Sequence, residues 1–109
     1  MLKKTFQVAT ETTTYPVVRN WDDLDSEQRD ACYAQGYDED HSLFWFVEGI
    51  AFSFEGDLHP LQGVFDCFGD YPYHLNYWGT TYLAKFNLVD GFAVSITLAT
   101  IESIENDQV

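Results

Sequence analysis

The sequence predicts an α+β fold: one helix packed on a five- to six-stranded, mostly antiparallel sheet, in a single domain spanning residues 1–109. Three observations lead there. The stretch 24–36 has the length and punctuation of a three-turn helix. Apolar residues elsewhere alternate with period two or run in short blocks. An Asp-Gly pair separates two such runs near the C-terminal end.

The segment "KTFQVATETTTYPVV" (4–18) opens the series as a strand. Phe6 and Val8 begin an alternation, the threonines are β-prone, and Pro16 marks an end or an edge. In "LDSEQRDACYAQG" (24–36), Asp25 is placed to cap a helix and Gln28 stands at the third helical position, the capping-box spacing. Glu27 lies in the first turn, where a carboxylate complements the positive helix end. Gly36 is placed for a left-handed stop. Leu24, Ala31, Cys32 and either Tyr33 or the stem of Gln35 form a thin apolar face, so the helix needs a sheet to pack on.

Residues 42–55, "SLFWFVEGIAFSFE", are apolar on both alternating sets: Phe44, Phe46, Ile50, Phe52 and Phe54 on one, Leu43, Trp45, Val47 and Ala51 on the other. That is the pattern of a strand covered on both faces, with Gly49 as a bulge or a tight reversal. A loop at 56–63, a short strand at 64–68, a turn at 69–73 and a strand at 74–78 that stops at Gly79 follow.

Residues 81–101 read as a hairpin around Asp90-Gly91. A two-residue loop sets Phe86 against Ser95 and Lys85 against Ile96, mixing polar and apolar on each face. A three-residue loop, 89–91, pairs Leu88 with Phe92, Phe86 with Val94, Ala84 with Ile96 and Tyr82 with Leu98. It gathers Lys85, Asn87, Ser95 and Thr97 on the opposite face. The apolar pattern selects the second register, with Gly91 left-handed in a bulge. The polar tail 102–109 is expected to fray.

Charge is the strongest compositional signal. Eighteen acids stand against five bases, a net charge of −13 with a pI near 4.1. Such a field repels nucleic acid and anionic membranes and attracts basic proteins. Direct nucleic-acid binding is therefore not expected, because it rests on Lys and Arg at phosphates. "MLKKTFQVAT" has no apolar run after its lysines, and no segment has the length of a membrane span. A soluble, cytoplasmic protein is expected. Cys32 and Cys67 are too few for a disulfide scaffold and read as buried thiols rather than a bridge.

Motifs for catalysis and cofactors are weak. Counting a calcium loop from Asp38 puts Leu43 where glycine is needed and Gly49 where glutamate is needed. The cysteines and His41, His59 and His74 lack zinc spacing. Cys67, between phenylalanines, has little positive charge nearby to activate it, and a Cys67–His74 pair is the residual nucleophile candidate. No metal or cofactor is expected.

The acids themselves are clustered. Asp22, Asp23, Asp25, Glu27 and Asp30 precede Asp38, Glu39 and Asp40 by a short helix. Adjacent like charges cost stability. A row of carboxylates can match the charge density of duplex DNA, one negative charge per about 1.7 Å of axis. The sequence therefore points to a non-enzymatic inhibitor. It would engage the Lys and Arg of a basic nucleic-acid-processing protein as a DNA mimic, either as a monomer or as a homodimer. Asp57, Asp66 and Asp70 extend the patch, and exposed aromatics such as Tyr73 and Trp78 fill its centre. In size and charge alone, the chain resembles phage anti-restriction and anti-CRISPR inhibitors and bacterial immunity proteins against nuclease toxins. The alternatives are an immunity protein against a toxin such as a nuclease, and a small enzyme or ligand-binding domain built on the aromatic-rich C-terminal half with His59, His74 or Cys67.

Overall fold

The computed structural model describes residues 2–61 and 70–108, with side chains described for 8–61 and 70–102. The expected strand at 64–68, together with Asp66 and Cys67, lies outside the described residues. Strand β1 (Leu2–Pro16) leads to a 3₁₀ turn at Trp21–Asp23 and helix α1 (Ser26–Ala34). A hairpin follows, β2 (Phe44–Val47) and β3 (Ile50–Ser53), then a single helical turn, α2 (Phe54–Asp57). Strands β4 (His59–Pro60), β5 (Tyr73–Tyr77), β6 (Thr80–Val89) and β7 (Phe92–Gln108) complete the chain. The described strands form a five-stranded sheet in the order β1-β7-β6-β5-β4 and the two-stranded sheet β2-β3. The fold class is the expected α+β, with two helices where the sequence predicted one. Pro16 sits at the end of an outer strand, as its missing N–H requires.

Helix α1 starts as read. The Asp25 carboxylate accepts from Gln28 N at 2.8 Å, and the Gln28 side chain accepts from Asp25 N at 3.0 Å. Gly36 has φ +82°. Tyr33 and Gln35, however, are exposed, and Tyr33 meets Trp21 edge-on at 5.3 Å. Leu24, Cys32, Tyr37, Phe44 and Ala51 form the core beneath the helix, with Val18, Trp21, Ala31 and Phe46 packed against it. Burying Phe44 alone contributes about 1.5–3 kcal/mol.

The segment 42–55 is a hairpin rather than one strand. Glu48-Gly49 reverses it with φ of +51° and +81°, the signs of a type I′ turn. Reversal regroups the faces: Phe44 opposes Ser53 and Phe46 opposes Ala51, while Trp45 opposes Phe52 and Val47 opposes Ile50. Trp45 is fully buried and stacks on Phe52 at 5.8 Å. Phe54 leaves the strand for α2.

Two more hairpins turn the same way. Trp78-Gly79 (φ +52° and +77°) closes β5 onto β6 with Tyr77 opposite Thr80. Asp90-Gly91 (φ +53° and +84°) closes β6 onto β7. The latter loop has two residues, which corrects the three-residue loop the apolar pattern selected. Leu88, Val89, Phe92 and Val94 at this tip are 45–62% exposed, so no buried face selects the register there and the Asp-Gly turn does. The polar face further along is as expected: Asn87 Nδ2 donates to Ser95 Oγ (3.0 Å) and Thr97 Oγ1 (2.9 Å), and Thr97 pairs with Thr14 (2.9 Å).

The chain forms two compact units. The first comprises 1–13, 59–85 and 98–109, with Leu83 and Ala99 buried among Ala9, Leu61, Tyr71 and Ile101. The second comprises 14–58 and 86–97 and holds the helix, the β2-β3 hairpin and the β6-β7 tip.

Candidate functional site

The two acidic runs meet because residues 17–19 are fixed on both sides by backbone bonds. Val17 N donates to Val94 O at 3.1 Å. Val18 and Phe44 exchange N–H and C=O at 2.8 and 2.7 Å, and Leu43 N donates to Arg19 O at 3.2 Å. That bridge sets the chain after Arg19 beside the chain before Leu43, whose left-handed φ of +56° turns it into β2.

Each run is then shaped locally. At 20–24, Asp23 N and Leu24 N bond back to Asn20 O and Trp21 O, both at 3.1 Å. Trp21 anchors the turn edge-on to Phe44 at 5.8 Å. Arg29 Nη2 donates to Trp21 O (3.3 Å), which also accepts from Leu24 N, and to Asp22 O (3.4 Å). At 38–41, Asp38 accepts from Asp40 N at 2.9 Å and lies 3.1 Å from His41 Nδ1. These contacts hold the Asp38 carboxyl below the ordinary carboxylate range, the backbone donor first and His41 second.

Between the runs lies a groove of about 530 Å³. Asp22 and Asp23 of the first run and Glu39, Asp40, His41 and Ser42 of the second line it, together with Arg19, Asn20 and Trp21. All four carboxylate residues are exposed. A second, more apolar groove of about 380 Å³ has Asp25, Glu27 and Gln28 facing Val18, Ala31 and Phe46. Asp30 is exposed on α1.

The basic residues leave these acids alone. Among the described residues, the one ion pair is His41–Asp38. Arg19 lies over the Phe92 ring at 4.7 Å, Lys85 over Tyr71 at 5.0 Å, and Arg29 over Trp21 at 5.9 Å besides its two carbonyls. No described Lys or Arg neutralises a described carboxylate.

The other expected residues have different surroundings. Asp57 is half-buried and spent inside the fold: its Oδ2 accepts from Ser53 N at 2.8 Å and from Tyr37 Oη. Burial first, then the bond to and charge of Asp57, push the Tyr37 hydroxyl well above its ordinary value. Gly56 N donates to the buried Ser53 Oγ at 2.9 Å, closing a polar knot at the start of α2. Asp70 is exposed, Tyr73 is half-buried in β5, and Trp78 is 81% exposed at its turn; all three belong to the first unit.

For the enzyme alternative, His59 and His74 face each other across β4-β5 with rings 5.4 Å apart. Burial, then the neighbouring His59, lower the His74 pKa. Among the described residues no three His, Cys, Asp or Glu side chains gather to hold a metal. Cys32 is buried with a free thiol, which burial pushes up and keeps protonated.

Sequence reasoning missed Arg19 and Trp21 as lining residues of the groove, and it missed the exposed apolar side chains of the β6-β7 tip. The signal for the tip was present: Asp-Gly is the preferred two-residue turn, and a two-residue turn denies the tip a single apolar face. Among the described residues no helix is long and apolar enough to cross a membrane. No protein-family model, curated protein or solved structure matches the chain.

Proposed function

We propose that the protein is a non-enzymatic inhibitor that binds a basic, nucleic-acid-processing protein and occupies the surface where that protein holds nucleic acid. The observation that supports this reading is the groove where the two acidic runs converge, with its carboxylates exposed and left unpaired by the described lysines and arginines. Carboxylates already neutralised would offer a cationic partner nothing. Carboxylates held by a capped turn and an Asx turn are in position before binding, which lowers the entropy lost on association. The attraction acts at a distance, so it speeds encounter and weakens with salt. The mechanism is occupancy: Asp22, Asp23, Glu39 and Asp40 take the Lys and Arg that otherwise contact phosphates, with Asp25, Glu27 and Asp30 extending the field. The same physics serves whether the partner is a phage-defence nuclease, as for an anti-CRISPR or anti-restriction protein, or a nuclease toxin.

The test is capture from host lysate on the immobilised protein at low salt, followed by elution with a short DNA duplex. Nucleic-acid-binding proteins released by the duplex are the expected result. Retained proteins that the duplex fails to displace, or no retained protein, overturn the reading.

A further inference from the structure

Exposed apolar side chains in this protein are concentrated. Among the described residues six large hydrophobic side chains are strongly exposed, and four of them, Leu88, Val89, Phe92 and Val94, crowd the β6-β7 tip. Exposed aliphatic and aromatic groups standing singly need no explanation, but four within seven residues do.

The tip is joined to the acidic groove by one residue. Arg19 lines the groove, and its guanidinium lies 4.7 Å over the Phe92 ring. The backbone makes the same connection: Val17 N bonds Val94 O, and Arg19 O accepts from Leu43 N, next in sequence to Ser42 of the groove lining. Tip, Arg19 and groove therefore follow one another within the second unit.

We propose that the β6-β7 tip and the acidic groove are one contact surface, and that its partner is a protein presenting an apolar residue framed by lysine or arginine. The inference rests on the inhibitor reading above and says where its energetic centre lies. Protein interfaces gain most of their energy from a few desolvated anchors, while a polar rim supplies complementarity. Phe92 and Val89, paired across the two-residue turn, provide the anchor, and Asp22, Asp23, Glu39 and Asp40 provide the rim. The rim fixes the chemistry of the occupant: an apolar partner of neutral or negative surface would leave four carboxylates against it without compensation. Arg19, which lines the groove and lies on Phe92, joins the two parts of the surface. The centre of the contact is thus the tip rather than Tyr73 and Trp78.

Two synthetic peptides of equal charge test this by fluorescence anisotropy at low salt: octalysine, and an amphipathic Leu-Lys helix with eight lysines. The folded protein is expected to prefer the amphipathic peptide by roughly tenfold, the scale of one buried anchor. Phe92→Ser, checked for an unchanged melting temperature, is expected to abolish that preference and leave octalysine binding as it was. Phe92→Leu is expected to retain it. Amide shifts on adding the amphipathic peptide are expected at both 88–94 and the groove residues. Equal affinity for the two peptides, or a preference that survives Phe92→Ser, overturns this inference while the charge reading stands. Failure of both peptides to bind overturns both readings.

Discussion

The two compact units divide the charge unequally. The second holds twelve acids against two bases, the first six against three, so −10 of the total −13 belongs to one unit and −3 to the other. Yet the heavily charged unit also contains the polar knot around Asp57. Asp57 is locked there by Ser53 N and Tyr37, while Asp22, Asp23, Glu39 and Asp40 face solvent. Carboxylates of one chemistry thus do two jobs: some hold the fold together, and others carry a field that the fold tolerates. The difference lies in the donors. A carboxylate with two internal donors stabilises; one without an internal partner is a cost until something outside pairs with it.

Removing the structural carboxylate tests that division hardest. Asp57→Ala strands the Ser53 N–H and the Tyr37 hydroxyl, and a loss of about 2–4 kcal/mol is expected from urea unfolding. Next comes the charge on the surface. Replacing Asp22, Asp23 and Asp40 by Asn and Glu39 by Gln is expected to leave stability unchanged or raise it slightly. The same change weakens octalysine binding ten- to a hundredfold at low salt, since each exposed pair is worth roughly 0.2–1 kcal/mol. If the quadruple variant unfolds, the two classes of carboxylate are not distinct. A Cβ at Gly56 would lie 2.5 Å from the Tyr37 ring, so Gly56→Ala is expected to cost about 1–3 kcal/mol in a thermal melt.

Alkali sharpens the same contrast. The folded protein keeps the Tyr37 proton where the unfolded chain releases it near pH 10. This group's stabilisation is therefore complete below pH 10 and lost as pH rises beyond it. Tyr37→Phe is expected to flatten that alkaline decline in urea midpoints taken at pH 8 and 10.5, and to cost about 1 kcal/mol at neutral pH. The smallest effect is expected in the other unit: Glu11→Gln with Asp70→Asn should shift octalysine affinity at about 0.1 M salt by less than about twofold, because neither residue lines the groove.

Much of this was legible in the residues. The capping box at Asp25 and Gln28 and the stop at Gly36 are local devices, and local devices survive folding unchanged. The sequence leaves Gly49 between a bulge and a tight reversal and marks Gly79 only as the end of a strand, since Glu48 and Trp78 are poor residues for a positive φ and only the glycine beside each signals the bend. The faces of 42–55 were misassigned for that reason. The convergence of Asp22 and Asp23 with Glu39 and Asp40 depends on the Val18–Phe44 bridge, a pairing of residues 26 apart in sequence that no short-range pattern announces. Asp57 looked like surface charge because its partners, Tyr37 and Ser53, meet it only in three dimensions.

One feature of the sheet makes the unpaired acids useful even with no partner present. Among the described strands, β1, fifteen residues long, is outermost on one side of the sheet and the two-residue β4 on the other. A free strand edge invites a second molecule to zip onto it, the route to insoluble fibres. Mutual repulsion between copies charged at −13 keeps those edges apart. Acidification toward the isoelectric point near 4.1 dissolves that protection, and the protein should precipitate there while its hairpins are still intact.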